Sequence, residues 1–189
     1  LSIIFSLSYI RKKEKTDFYY FMMLLVIASM TGIVLSGDLV SFYIFWEIMS
    51  WSTFLLICYN RGPAIAAGMK YIIMSVAGSV AMLIGLLSLY SHYGTLAFSE
   101  LSGLLHQASS GYVLLILILF FIAMGIKNAI WPLHAWLPPA HSEAPSPFSS
   151  ILSGILIKMG TYGFILLIYV IIQMDVFLKL GQGVLSARY

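Results

Sequence analysis

Apolar residues run through this chain in long unbroken blocks, without the alternation of a strand. Six blocks stand out, at 1–10, 18–36, 39–59, 64–90, 111–131 and 148–174. Each of the last five suffices for a helix of about 20 residues, the length that crosses a hydrocarbon core of roughly 30 Å. The first reads as the end of a preceding span. Lipid offers no partner to a free backbone N–H or C=O, so such blocks are helical. An all-β fold is excluded by the missing alternation. The pattern predicts an all-α polytopic membrane protein, a helix bundle divided into residues 1–17 (end of a span and a basic loop), 18–174 (five spans) and 175–189 (a tail).

Composition agrees. Of 189 residues, 61% are hydrophobic and 9% charged. A soluble domain carries about 25% charged residues, and so few charges cannot cover a water-facing surface. The net charge of +3 reflects loop bias, not a nucleic-acid patch. Cys58 lies alone in an apolar run, with no C-x-x-C and no internal disulfide open to it. No glycine-rich nucleotide motif appears. Any redox cofactor belongs to another subunit. The chain begins inside an apolar run with no cleavable leader pattern, and reads as part of something larger.

The loop charges orient the bundle. Residues 11–15 are strongly basic, Arg61 marks a short loop two crossings later, and 91–110 hold no Lys or Arg. The positive-inside rule puts 11–17 and 60–63 in the cytoplasm and 91–110 outside. Residues 96–106 read as a short helix on the outer surface. Lys179 and Arg188 in the tail fit this pattern poorly.

Four ionisable residues fall inside the spans: Glu47, Lys70, Lys127 and Lys158. A charge at mid-membrane costs about 2.5–3.5 kcal/mol on insertion scales, so such residues face a bundle interior or a wet cavity and mark ion or proton paths. Glu47 is too short to snorkel; it is a protonated structural group or one half of an ion pair with a lysine. Lys158 is also near mid-span, with Thr161 and Tyr162 one turn on. Lys70 is close enough to its span end for snorkelling to compete.

The fourth charge adjoins an odd stretch. Residues 129–148, "AIWPLHAWLPPAHSEAPSPF", hold five of the six prolines. Pro132 removes a helix hydrogen bond, yet the chain stays apolar beyond it. Residues 111–137 therefore read as one broken helix, entered again at Pro132, with Lys127 near the break and His134 on the second leg. Residues 138–147 read as the connector. Broken helices at membrane depth line cavities and often mark transport sites. His134 is a relay or a structural histidine; His141 and Glu143 lie in the connector, Glu143 as a loop residue. Ala77, Gly78, Ser79 and Gly85 point to close helix contact.

The segments "GDLVSFYIFWEIMSWSTFLLI", "AAGMKYIIMSVAGS" and "GIKNAIWPLHAWLPPAHSEAPSPFSSILSGILIKMGTYG" resemble the antiporter-like membrane subunits of the complex I superfamily. That superfamily includes NADH–quinone oxidoreductase, energy-converting hydrogenases, formate hydrogenlyase and Mrp-type cation/proton antiporters; the wording is most similar to the hydrogenase branch. The resemblance implies that residues 18–174 form one five-helix proton-translocation repeat. Glu47, Lys70, Lys127, His134 and Lys158 would then form a proton path with trapped water. It implies iron–sulfur clusters and a flavin or nickel–iron centre in partner subunits, other membrane and peripheral subunits as partners, and a multi-pass place in a prokaryotic cell membrane. Two departures stand out. The arginine common just after "YG" is replaced here by Phe164, Ile165 and Leu166. The second, inverted five-helix repeat has no counterpart in these residues. Three functions compete: a redox-driven proton-translocating subunit, in which a Glu47–Lys127 ion pair opens and sends a proton towards Lys158; a cation/proton exchanger; and a membrane-arm spacer.

Overall fold

The computed structural model describes residues 2–10, 15–105 and 108–171. Most of the basic 11–15 loop, His106 and the tail from 175 onward, with Lys179 and Arg188, lie outside the described residues. Helices account for the architecture: α1 (Ser2–Ile10), α2 (Thr16–Leu35), α3 (Leu39–Ile57), α4 (Pro63–Tyr93), α5 (Phe98–Leu105), α6 (Ser110–Lys127), α7 (Leu137–Glu143), α8 (Ser146–Ile151) and α9 (Lys158–Ile165). A π-helical turn, Leu152–Leu156, joins α8 to α9, and a second, Leu166–Ile171, follows. Among the described residues the only β pairing is an isolated bridge, Asp38 with Ala97. The protein is an all-α polytopic membrane protein. Among the described residues, five helical segments are long and apolar enough to cross a bilayer: Thr16–Leu35, Leu39–Asn60, Pro63–Tyr93, Ser110–Lys127 and Ser146–Tyr169.

Local chemistry sets the helix ends. Asp38 caps α3: its Oδ1 accepts from the Ser41 backbone N–H and its Oδ2 from the Ser41 hydroxyl, both at 2.8 Å. Pro63 opens α4 in the first turn, where its missing N–H costs nothing. Gly94 closes α4 in the left-handed region at φ 70°, a conformation that favours glycine. Ser109 caps α6 through the Tyr112 N–H. The short helix expected at 96–106 is α5, which starts two residues later than the pattern predicts. It is latched to the mouth of α3 by Leu39 N–H to Leu96 O at 2.9 Å and Phe98 N–H to Gly37 O at 3.1 Å.

Helix α2 packs on α3, α3 on α4, α4 on α6, and α6 on α9, which returns to α2. The Tyr162 hydroxyl seals that ring by donating to the Val34 carbonyl at 3.1 Å. Glycines bring α6 close to both neighbours. A Cβ on Gly78 of α4 would stand 3.1 Å from the Ala123 Cα, and one on Gly160 of α9 would stand 2.8 Å from the Met124 carbonyl. Gly78 and Gly85 thus serve the close contact expected of them, Gly85 against Phe120. Large apolar side chains such as Leu24, Ile73, Leu87 and Leu115 are exposed on the outside of the bundle, as lipid-facing residues must be.

Candidate functional site

The break in the fourth span comes earlier than the sequence suggests. It falls at the end of α6, on Lys127 itself, before Pro132. Ala129 N–H donates to Ile126 O at 3.0 Å and Ile130 N–H to Gly125 O at 2.9 Å. Ala129 carries the left-handed conformation between them, φ 51°. These two bonds are the Schellman pattern that ends helices. Residues 131–136 then run as turns, with a cis Trp131–Pro132 peptide bond. The second leg is α7, which holds residues the sequence pattern gave to the connector. Pro138 and Pro139 sit in its first turn, where proline is tolerated. The leg is therefore Leu137–Glu143, not 132–137, and His134 precedes it in the turns. The connector shrinks to Ala144 and Pro145. Asn60 Nδ2, at the end of the second span, donates to the Glu143 carbonyl at 2.9 Å.

Lys127 is 2% exposed. Its Nζ donates to Ser50 Oγ at 2.9 Å and to Tyr71 OH at 2.7 Å. It also lies over two rings, 5.6 Å from the Trp46 centroid and 5.1 Å from that of Tyr71. The Ser50 hydroxyl donates its own proton to the Trp46 carbonyl at 2.9 Å, which leaves a lone pair for the ammonium. A hydrogen bond to a charged group is worth about 1.5–3 kcal/mol, and a desolvated cation–π contact about 2 kcal/mol. Two such bonds and the ring contacts together exceed the insertion cost of about 2.5–3.5 kcal/mol. A buried ammonium is thereby accommodated without an ion pair.

Glu47 sits one turn from Ser50 on α3. It is half-buried, and its Oε1 is fully buried with no hydrogen-bond partner among the described residues. The Glu47–Lys127 ion pair expected from sequence is not made here, because the ammonium is committed to Ser50 and Tyr71. More polar atoms flank this cradle. Thr53 lies one turn below Ser50, and Ser75 and Ser79 lie one and two turns beyond Tyr71; all three hydroxyl oxygens are buried without a partner among the described residues. Buried polar atoms of this kind are normally paired by internal water.

The other sequence candidates are not brought into the cradle. Lys70, His134 and Lys158 are exposed on this chain. Lys70 precedes Tyr71 and turns away by one helical step. Thr161 and Tyr162 do not serve Lys158: Thr161 Oγ1 donates to Asn128 Oδ1 at 2.9 Å, and Tyr162 to Val34. The first of these bonds ties α9 to the residue after Lys127. His141, on α7, shares a hydrogen bond of 2.8 Å with Ser149 Oγ.

Sequence reasoning missed Ser50, Tyr71 and Trp136. Trp136 is fully buried, donates through Nε1 to the Ile126 carbonyl at 2.8 Å, and meets the Tyr71 ring at 5.0 Å. A signal existed for two of them. Ser50 is three residues after Glu47, and Trp136 lies in the same short stretch as His134.

Known proteins resemble this chain in sequence and fold. Residues 36–187 match the family model described as NADH:quinone oxidoreductase/Mrp antiporter, transmembrane. The NAD(P)H-quinone oxidoreductase chain 4 1 of Synechococcus sp. (strain JA-3-3Ab) is 40% identical over 158 residues, covering 80% of this chain and 29% of the relative. The Na(+)/H(+) antiporter subunit A1 of Staphylococcus saprophyticus is 34% identical over 169 residues, 86% of this chain and 20% of the relative. Among solved structures, a chain of the membrane-bound sulfane sulfur reductase, an archaeal respiratory membrane complex, superposes with a TM-score of 0.75 at 35% identity. The match covers 82% of this chain and 26% of that one. A chain of the Mrp complex from Dietzia sp. gives 0.75 at 28% identity, covering 84% and 18%. The chain spans less than a third of the length of these relatives. It belongs to the NADH:quinone oxidoreductase/Mrp antiporter transmembrane family.

Proposed function

We propose that this chain is a proton-translocating part of a multi-subunit, redox-driven complex in the cell membrane, and that Lys127 is its central proton carrier. One observation carries the reading: a buried ammonium at a helix break, held by neutral hydroxyls, with a half-buried carboxylate one helical turn from Ser50 whose Oε1 has no partner among the described residues. In this state Lys127 rests on Ser50 and Tyr71. Moving it to Glu47 forms an ion pair; leaving Glu47 returns it to the hydroxyls. Such an exchange changes how firmly the proton is held. The unpartnered hydroxyls of Thr53, Ser75 and Ser79 support water-bearing approaches on both sides of the cradle. The Asn128–Thr161 bond supports a continuation from the break to α9, on which Lys158 lies one turn from Thr161.

Lys70, His134 and Lys158 are further proton-path residues in this proposal. A Lys158 facing lipid near mid-span would cost about 2.5–3.5 kcal/mol. That cost supports a covering protein segment, supplied by further length of this polypeptide or by another chain bearing the second repeat. The chain has no redox centre of its own in this reading. Iron–sulfur clusters and a flavin or nickel–iron centre sit in partner subunits. Residues 1–17 and 175–189 flank the repeat at 18–174.

The test is Lys127→Ala in the full-length protein within its complex. Proton uptake per electron in membrane vesicles should fall at least about tenfold, the loss expected when a transfer group is removed. Uptake equal to the parent sinks the assignment. The matching Na(+)/H(+) antiporter subunit favours a second reading, a cation/proton exchanger using the same charges; a purified complex free of redox cofactors would select it. A spacer role predicts that Glu47→Leu raises stability and costs no transport.

A further inference from the structure

One side chain at the break belongs to no charge. Trp136 is fully buried and is the residue from which α7 starts. Its indole N–H donates to the Ile126 carbonyl at 2.8 Å. That carbonyl belongs to the last turn of α6, one residue before Lys127, and accepts the indole in addition to the Ala129 N–H of the Schellman turn. On its other side the indole meets the Tyr71 ring, centroids 5.0 Å apart and planes at 66°. Tyr71 is also fully buried and accepts the shorter of the two Lys127 hydrogen bonds, 2.7 Å. One indole thus touches the broken end of α6, the start of α7 and the ring that holds the ammonium.

We propose that Trp136 and Tyr71 are positioning residues for Lys127: Trp136 locks the Tyr71 ring, and Tyr71 keeps the ammonium on the Ser50 side of the cradle, away from Glu47. The inference rests on the proton-path reading of Lys127. Its physical basis is the difference between the two acceptors. Ser50 is fixed by α3 through its bond to the Trp46 carbonyl. The Tyr71 hydroxyl stands at the end of a ring that only its neighbours hold in place, and edge-to-face packing is directional. Withdrawal of the indole with α7 frees that ring and leaves Lys127 one fixed acceptor in place of two. Displacement of α7 is thereby converted into a change of partner for Lys127 through ring packing. The indole bond to Ile126 makes the link two-sided, because the same ring also braces the backbone that carries Lys127.

The experiment uses the full-length protein in its assembled complex, reconstituted in vesicles, with proton uptake driven by an imposed membrane potential. Tyr71→Phe keeps the ring and removes the acceptor; Trp136→Phe keeps a ring against Tyr71 and removes the indole N–H. Losing a hydrogen bond to a charged group should change the uptake rate about tenfold or more for Tyr71→Phe, and losing a neutral one about threefold to tenfold for Trp136→Phe. Residues acting through one another are not additive. The double variant should match Tyr71→Phe within about twofold, while a product of the two effects overturns the link. A spectroscopic readout covers the case in which Trp136→Phe fails to assemble. Fluorotryptophan placed at position 136 alone should shift its fluorine resonance when Lys127→Met is introduced; an unmoved line overturns the proposal. The two readings fail separately. Full uptake in Lys127→Ala removes both, whereas uptake lost in Lys127→Ala but equal to the parent in Tyr71→Phe and Trp136→Phe removes only this one.

Discussion

Replacing Gly160 by alanine puts a methyl group 2.8 Å from the Met124 carbonyl oxygen and 2.9 Å from the Asn128 side-chain amide. The carbonyl is helix backbone and cannot swing aside, so α9 must back away from α6. Overpacking of this kind costs about 1–3 kcal/mol. A glycine-to-alanine change in an unobstructed helix gains about 0.5–1 kcal/mol instead. Gly103 on α5 supplies that reference, since a Cβ there meets nothing within 4 Å. The two variants should therefore differ by about 1.5–4 kcal/mol, the sum of the two ranges. Denaturant titration of the full-length protein in bicelles measures both on one scale. The displacement should also break the Thr161–Asn128 bond and slow proton uptake. Gly160→Ala as stable as Gly103→Ala would refute the close α6–α9 contact, and with it the route from Lys127 towards α9.

Three further outcomes follow from the geometry. The Asp38 carboxyl is held below the usual carboxylate range, above all by the Ser41 backbone N–H; burial opposes this, and the Ser41 hydroxyl and the Val40 N–H add to the lowering. Its folded value is the lower one, so its contribution is complete above about pH 4, the unfolded value, and disappears as pH falls through the folded value. Denaturation curves between about pH 2 and 6, the carboxylate window, should lose this dependence in Asp38→Asn, which still caps, while Asp38→Ala should cost about 1 kcal/mol at neutral pH. Ala129→Gly relieves a left-handed alanine at φ 51° and should stabilise the protein by up to about 1 kcal/mol in the same titration; a loss of stability would argue against the turn. Ser75→Ala with Ser79→Ala removes two hydroxyls that have no partner among the described residues, so stability should stay within about 1 kcal/mol while proton uptake falls; unchanged uptake would leave those hydroxyls outside the path.

How much of this was legible depended on the range of the interaction. The five spans follow from hydropathy alone, which averages over a whole helix. Lys127 was legible because a charge in an apolar run has few explanations. The break was placed at Pro132 because proline is a local signal, whereas the turn at Ala129 is completed by Trp136, ten residues after the carbonyl it bonds. The leg α7 looks like a connector in the sequence because its paired prolines resemble loop residues unless the helix start is known. Glu47 and Lys127 were paired by charge. Ser50 and Tyr71 compete for the ammonium through contacts 77 and 56 residues apart in sequence, which no local pattern records. The two π-turns around α9 leave no signature in the hydrophobic spacing.

The early end of α6 also has an electrostatic meaning. Every peptide unit of that helix points its carbonyl towards Lys127, the last helical residue, and the aligned dipoles leave about half a negative charge at a helix C-terminus. Ending the helix where Lys127 is buried brings that partial charge into a region of low dielectric, where it counts for more. It favours a cation in the last turn by up to about 2 kcal/mol when partly buried. Unlike the carboxylate of Glu47, this counter-charge takes up no proton, so it is present at every pH and in every stage of a transport cycle. Lys127 therefore keeps a constant electrostatic floor, and Glu47 is left free to add to it or not.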